Sequence, residues 1–176
     1  MFIEIEDLKD EPLHVQHLYG VDELSFEHKD AVLDEPVDLE FTLNHKDRDL
    51  QIGGVLRTAI RYTCSRCLRE FSRKLSTSFD LLYLPQPKWA GENEEIELKY
   101  DEMDIGFYDG IRLDIDLMTL EQIELSMPMK FVCQENCRGL CPNCGAYLND
   151  EACLCKQDTG DSRMAVLLDF RKKLGQ

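Results

Sequence analysis

Eight cysteines stand in four pairs: Cys64 with Cys67, Cys133 with Cys137, Cys141 with Cys144, and Cys153 with Cys155. Four thiolates around one ion make the closed tetrahedral set of a structural zinc site, and two of them commonly come from a single tight knuckle. A knuckle needs a cysteine, two spacers whose N–H groups can point at sulfur, and a second cysteine. A residue that tolerates positive φ helps directly after it. Cys141-Pro-Asn-Cys144-Gly145 fits in full, and Cys64-Ser-Arg-Cys67 fits without the glycine. Cys133-Gln-Glu-Asn-Cys137 is a looser pair, and Cys153-Leu-Cys155 a tighter one that closes a site. Four pairs supply two zinc ions. Only eight residues separate Cys144 from Cys153, so Cys141, Cys144, Cys153 and Cys155 close a local site. Cys64 and Cys67 are then left with Cys133 and Cys137, a long-range clamp. Exchanged partners, such as Cys64 and Cys67 with Cys141 and Cys144, are a competing arrangement. One zinc with the remaining thiols unbound is another.

Other cysteine chemistries fit less well. Disulfides belong to oxidising compartments, and eight cysteines in 176 residues fall below the roughly 8–10% of short disulfide scaffolds. An iron–sulfur cluster also takes four thiolates, but neither common ferredoxin spacing occurs. A thiol switch uses similar motifs and ranks behind zinc. Catalytic zinc keeps an open position and usually has histidine or carboxylate ligands, whereas all-cysteine sets are closed. No Walker loop, nucleophile elbow, dinucleotide fingerprint or HExxH is present. The expectation is a metal-pinned scaffold, not an enzyme. The histidines, His14, His17, His28 and His45, are expected in solvated loops, because the cysteines already complete two ligand sets.

Charge narrows the choice of partner. The chain carries −15, and each four-thiolate zinc site would add −2. Such a body repels a phosphate backbone unless its positive charge is clustered. It is clustered: Arg57, Arg61, Arg66, Arg69, Arg73 and Lys74 bracket Cys64 and Cys67, with Glu70 the one acid among them. These six are candidate contacts to a phosphate backbone, and the competing reading is that they pair with surface acids. The acidic, unhydrophobic start MFIEIEDLKDEPL carries no secretory pattern, and no run approaches the ~18 apolar residues of a membrane span. A cytoplasmic location and no membrane partner are expected.

The elements that must position the cysteines follow from hydrophobic period. Val37, Leu39, Phe41 and Leu43 alternate with polar residues as in a half-buried strand, and residues 44–49 turn. A second strand runs from Leu50 to Thr63, with Gly53-Gly54 marking a bulge or a close approach. A third runs from Phe71 to Tyr83, so Cys64–Cys67 sits at the tip of a long hairpin. Residues 85–93 read as a loop. Residues 92–104 are acidic and solvated, with Ile96, Leu98 and Tyr100 alternating inside them. Asp109-Gly110 between Ile105–Tyr108 and Ile111–Leu113 is a hairpin signal. Asp114 or Asp116 caps a helix to about Ser126, and Pro128 stops it. Asp161-Ser162 caps a last helix, 163–174, whose Met164, Leu167, Phe170 and Leu174 read as core packing.

Two stretches carry a family resemblance: Tyr62-Thr-Cys64-Ser-Arg-Cys67-Leu-Arg-Glu-Phe71, and Val132 to Asn149 with its Gly139-Leu-Cys141-Pro-Asn-Cys144-Gly145, followed by Cys153-Leu-Cys155 and an aspartate–arginine helix start. Together they resemble the bacterial YceD family, from about Val37 to Leu174. Two positions depart from its pattern: Tyr147, where asparagine is commoner, and Ser162, where proline is commoner. Neither is a proposed ligand. The resemblance implies a role in accumulation of large-subunit ribosomal RNA and brings no catalytic residues. The family's genes commonly neighbour that of a small zinc-containing ribosomal protein. Some members lack the Cys141–Cys155 group, which suits a local second site.

The reading is therefore an α+β protein, a single domain over 1–176, with an antiparallel β scaffold, a long hairpin, a zinc-ribbon-like segment at 131–160 and a C-terminal helix. It would be a non-enzymatic ribosome-biogenesis factor with two structural zinc ions. Its partner would be ribosomal RNA or a large-subunit assembly intermediate, with a basic ribosomal protein as a further candidate. The rivals are a zinc- or thiol-redox-responsive regulator or chaperone, and a protein–protein adaptor.

Overall fold

Alternation from Val37 to Tyr83 becomes three long antiparallel strands, β4 (Val37–Lys46), β5 (Asp49–Thr63) and β6 (Glu70–Pro85). The structure, a computed structural model, describes residues 1–8, 11–46, 48–86, 105–155, 167 and 170. Val37, Leu39, Phe41 and Leu43 of β4 are buried, as are Leu50, Ile52, Leu56, Ile60 and Tyr62 of β5. Each contributes about 1.5–3 kcal/mol on burial, so this face fixes the register. Arg57 and Arg61 occupy the opposite, exposed face. The β5–β6 register is unbroken from Leu50–Tyr83 to Thr63–Glu70. Gly53-Gly54 makes no bulge, since both residues keep their partners on β4 and β6. Gly54 is instead a close approach: a Cβ there would lie 2.5 Å from the Glu40 carbonyl oxygen and 2.6 Å from the Phe41 Cβ.

Among the described residues the main sheet has six strands. β2 (Leu13–Tyr19) flanks β4, β3 (Ala31–Leu33) pairs with the distal half of β5, and β7 (Ile105–Tyr108) lies parallel to β6. β1 (Phe2–Glu4) and β8 (Arg112–Asp114) form a separate two-stranded sheet. Helix α1 (Ile115–Ser126) begins where the Asp114 carboxylate accepts from the N–H groups of Asp116 and Leu117. It buries Ile115, Met118 and Ile123 in the same core, and Thr119 and Gln122 are buried beside them on the helix.

The α+β class with an antiparallel scaffold holds, and several local readings change. Asp109-Gly110 does not join a hairpin: β7 pairs with β6 and β8 with β1. The Asp109 carboxylate accepts from the N–H groups of Ile111 and Arg112, an Asx turn that sends the chain from one sheet to the other. Those bonds hold its carboxyl below the usual range. Three of the four histidines lie on strands rather than in loops, while His28 is exposed outside the named strands. His14 and His17 lie on β2 and His45 on β4. The His28 ring stacks on Phe26 and meets Phe131 edge-on at 5.4 Å. The chain divides into two compact units, Met1–Cys133 and Gln134–Gln176. Within the second, Leu167 and Phe170 are helical, but they are 57% and 61% exposed rather than core-packed. The loop from residue 87, the acidic run 92–104 with its proposed strand, the Asp161-Ser162 cap and the rest of the last helix lie outside the described residues.

Candidate metal centres

The hairpin joining β5 to β6 does not end in an ordinary turn. The N–H of Cys64 donates to the Arg69 carbonyl at 2.9 Å, and the N–H of Leu68 donates to the Cys64 carbonyl at 2.8 Å. In the second unit the N–H of Cys141 donates to the Ala146 carbonyl at 2.8 Å, and that of Gly145 to the Cys141 carbonyl at 2.9 Å. The two Cys-x-x-Cys segments thus share one hydrogen-bond pattern at the same spacing. Both need a left-handed residue after the second cysteine. Gly145 supplies it with φ 74°, and Leu68 supplies it with φ 60°.

Cys133 is drawn to the first knuckle by its own neighbours. The Phe131 carbonyl accepts from the Ser65 N–H at 2.8 Å and from the Ser65 hydroxyl at 3.0 Å. The Phe131 ring packs 4.6 Å from Tyr62. The Cys133 N–H points at the Cys64 sulfur at 3.5 Å, and the sulfurs of Cys67 and Cys133 are 3.8 Å apart. The sulfurs of Cys64, Cys67 and Cys133 lie within 4.8 Å of one another. Cys137, four residues on, lies in the second unit. It is buried, and its sulfur accepts from the Asn149 side-chain amide at 3.3 Å. In that unit the sulfurs of Cys141, Cys144, Cys153 and Cys155 also lie within 4.8 Å. The Cys153 sulfur is 3.3 Å from that of Cys141 and 3.6 Å from that of Cys144.

These spacings match tetrahedral thiolates. A Zn–S length of about 2.3 Å sets sulfurs about 3.8 Å apart, whereas a disulfide needs about 2.05 Å. All eight cysteines are described, and none forms a disulfide. The electrostatics agree. Burial resists ionisation of Cys64, but the N–H groups of Cys133, Cys67 and Arg66 outweigh it and bring the thiol down to about 6. The N–H groups of Cys144 and Asn143 bring Cys141 to about 6 as well. Cys155 is pushed up to about 12, chiefly by the Cys153 thiol and then by Cys144. The Cys155 N–H favours a Cys153 thiolate, yet the contacts with Cys141 and Cys144 outweigh it and raise that thiol. Thiolates packed this closely repel one another, and a divalent cation between them removes the repulsion. Both groups could hold a metal ion, and all-sulfur tetrahedra suit zinc.

The two groups differ in exposure. In the first group Cys64 and Cys67 are buried and Cys133 is half-buried, while in the second Cys141 is buried, Cys153 and Cys155 are half-buried and Cys144 is exposed. All six bases of the hairpin are exposed. Arg57 lies 3.5 Å from Asp38 and 3.9 Å from Glu40, and Arg61 lies 3.5 Å from Asp34 and 3.8 Å from Glu70. The Arg73 guanidinium is 5.9 Å from the Phe71 ring centroid. Exposed ion pairs of this kind contribute at most about 1 kcal/mol. Sequence reasoning did not find the roles of Leu68, Ser65, Phe131 or Asn149. Only the missing glycine after Cys67 could have pointed to Leu68, and the other roles depend on contacts distant in sequence.

Among the described residues, no helix is long and apolar enough to cross a membrane. No solved structure matches the chain. A chloroplastic protein of Arabidopsis thaliana called large ribosomal RNA subunit accumulation protein YCED homolog 1 is 25% identical over 80% of this chain and 50% of its own length. Its Zea mays namesake is 26% identical over 69% of this chain and 49% of its own. An uncharacterised protein of Mycobacterium bovis is 23% identical over 65% of this chain and 53% of its own. The chain thus spans about half the length of the curated relatives it matches. The family described as large ribosomal RNA subunit accumulation protein YceD matches residues 52–171, which takes in the long hairpin, both knuckles and all eight cysteines, and the chain belongs to that family.

Proposed function

We propose that this chain is a non-enzymatic ribosome-biogenesis factor that supports accumulation of large-subunit ribosomal RNA, acting in a ribosome-containing compartment. The observation that carries this reading is the family match over the very segment that holds both cysteine groups and the basic hairpin. Two zinc ions would serve as structural pins. Cys64, Cys67 and Cys133 would hold the first, with Cys137 as the fourth ligand, because it follows Cys133 at knuckle spacing and is buried. Cys141, Cys144, Cys153 and Cys155 would hold the second. Bound zinc supplies no reaction at a closed four-thiolate site; it fixes the backbone around it. The first ion would stiffen the tip from which Arg66 and Arg69 extend, with Arg73 and Lys74 behind them. Arg57 and Arg61 would add a second row, since their exposed ion pairs cost little to exchange for phosphate. The acidic remainder would confine contact with RNA or an assembly intermediate to that hairpin, and it could also face a basic ribosomal protein.

The test is charge reversal. Arg66→Glu with Arg69→Glu leaves zinc content unchanged and removes co-sedimentation with large-subunit particles and crosslinking to ribosomal RNA in cells. Unchanged particle association and RNA crosslinking would rule out the hairpin contact. Protein crosslinks alone would instead identify an adaptor.

A second reading is favoured by one observation, the exposure of Cys144 beside the half-buried Cys153 and Cys155. Accessible zinc thiolates oxidise readily, so the second centre could report redox state. Mild peroxide that expels zinc and changes ribosomal particle association together would favour it.

A further inference from the structure

The loop that closes the second cysteine group also reaches Cys137. Asn149 lies between Cys144 and Cys153. Its Oδ1 accepts the Arg138 N–H at 2.7 Å, which turns its Nδ2 toward the Cys137 sulfur at 3.3 Å. The loop is held on its near side as well. The Leu148 N–H donates to the Gly139 carbonyl at 3.0 Å, Leu140 and Tyr147 form a β-bridge, and the N–H groups of Asp150 and Glu151 donate to the Tyr147 carbonyl. Asn149 therefore presents an amide donor to a thiolate from a loop whose two ends are anchored by cysteines of the other group.

We infer that Asn149 is a positioning residue for Cys137 and links the two zinc centres. This rests on the reading that Cys137 is a zinc ligand. An N–H···S bond draws charge from a thiolate in a site of net charge −2, so it weakens attack on that sulfur and slows loss of the metal. The second zinc fixes Cys144 and Cys153, and with them the loop that holds the amide in place. Emptying the second centre therefore loosens the first, although no first-centre ligand has changed.

The test follows zinc release from the full chain to excess chelator with a zinc indicator. The phase that disappears in Cys64→Ser/Cys67→Ser marks the first centre. Asn149→Asp keeps the oxygen that accepts from Arg138 but replaces the donor with a carboxylate oxygen. It is expected to hold two zinc ions and to speed first-centre release about ten- to hundredfold, leaving second-centre release unchanged. Cys153→Ser/Cys155→Ser is expected to speed first-centre release similarly. In the cobalt-substituted protein, the sulfur-to-cobalt charge-transfer band of the first centre shifts in Asn149→Asp. First-centre release at the wild-type rate in both variants would overturn the inference, as would equal acceleration of both phases in Asn149→Asp. A wild type that binds no zinc would overturn the underlying zinc reading instead.

Discussion

The knuckle at Cys64–Cys67 and the knuckle at Cys141–Cys144 are the same local structure in settings that differ at the second cysteine, buried in one and exposed in the other. Each closes with the same two backbone bonds, and in each the N–H groups bring the first thiol to about 6. One is buried at the end of a strand pair that runs from Leu50 to Thr63 and back from Glu70 to Tyr83. The other carries an exposed cysteine. The chemistry of the ligands is therefore common to both, and their surroundings decide how much fold depends on each. With zinc bound, the first knuckle would pin the β5–β6 hairpin and the segment that brings Cys133 to it. The second would pin mainly its own loop.

The largest expected contrast is in stability. Cys64→Ser/Cys67→Ser leaves two polar groups in a buried site and removes the pin. It should lower the melting temperature by about 6–12 °C, as a loss of roughly 3 kcal/mol would in a chain of this length. Cys153→Ser/Cys155→Ser should lower that of the main transition by only a few degrees. Calorimetry on both variants checks this, and equal losses would break the comparison. Next comes reactivity. Under mild peroxide or a thiol-alkylating reagent, the zinc of the Cys141 group should leave at least about tenfold faster than that of the Cys64 group, because exposure sets access to sulfur. Peptide mapping of modified cysteines tells the two apart.

The smallest effect has the sharpest sign. Leu68 holds φ 60° with a side chain, and Gly145 holds φ 74° without one. The left-handed region costs a residue with a Cβ about 1–2 kcal/mol. Leu68→Gly should therefore be neutral or stabilising by up to about 1 kcal/mol, offset by the extra freedom of glycine in the unfolded chain. Gly145→Ala should destabilise the second centre by about 1 kcal/mol although nothing lies within 4 Å of the added Cβ. Equilibrium unfolding and zinc affinity report the two separately.

Much of this was legible in the sequence where the pattern is local. The alternation in β4, β5 and β6 gave strands because their buried sides are almost wholly apolar. Asp114 gave the start of α1 because an aspartate before an apolar stripe has one obvious use. The two Cys-x-x-Cys spacings pointed to the knuckles, and GLCPNCG to the family. What was hidden depended on partners far along the chain. β2 was missed because a histidine, His17, takes an inward position between Val15 and Tyr19, while Leu18 faces out, 64% exposed. β7 pairs in parallel across a connection of some twenty residues, so Asp109-Gly110 looked like a hairpin turn when it is a crossing between sheets. Leu68 was hidden because its conformation is imposed by the knuckle against its own preference.

The central claim is that two four-thiolate zinc centres pin this chain, the first of them through Cys64 and Cys67. Metal content by mass spectrometry on the reduced wild type and on Cys64→Ser/Cys67→Ser tests it most directly. Two zinc ions per chain should fall to one. A wild type that carries no metal, or a variant that keeps both ions, would contradict it.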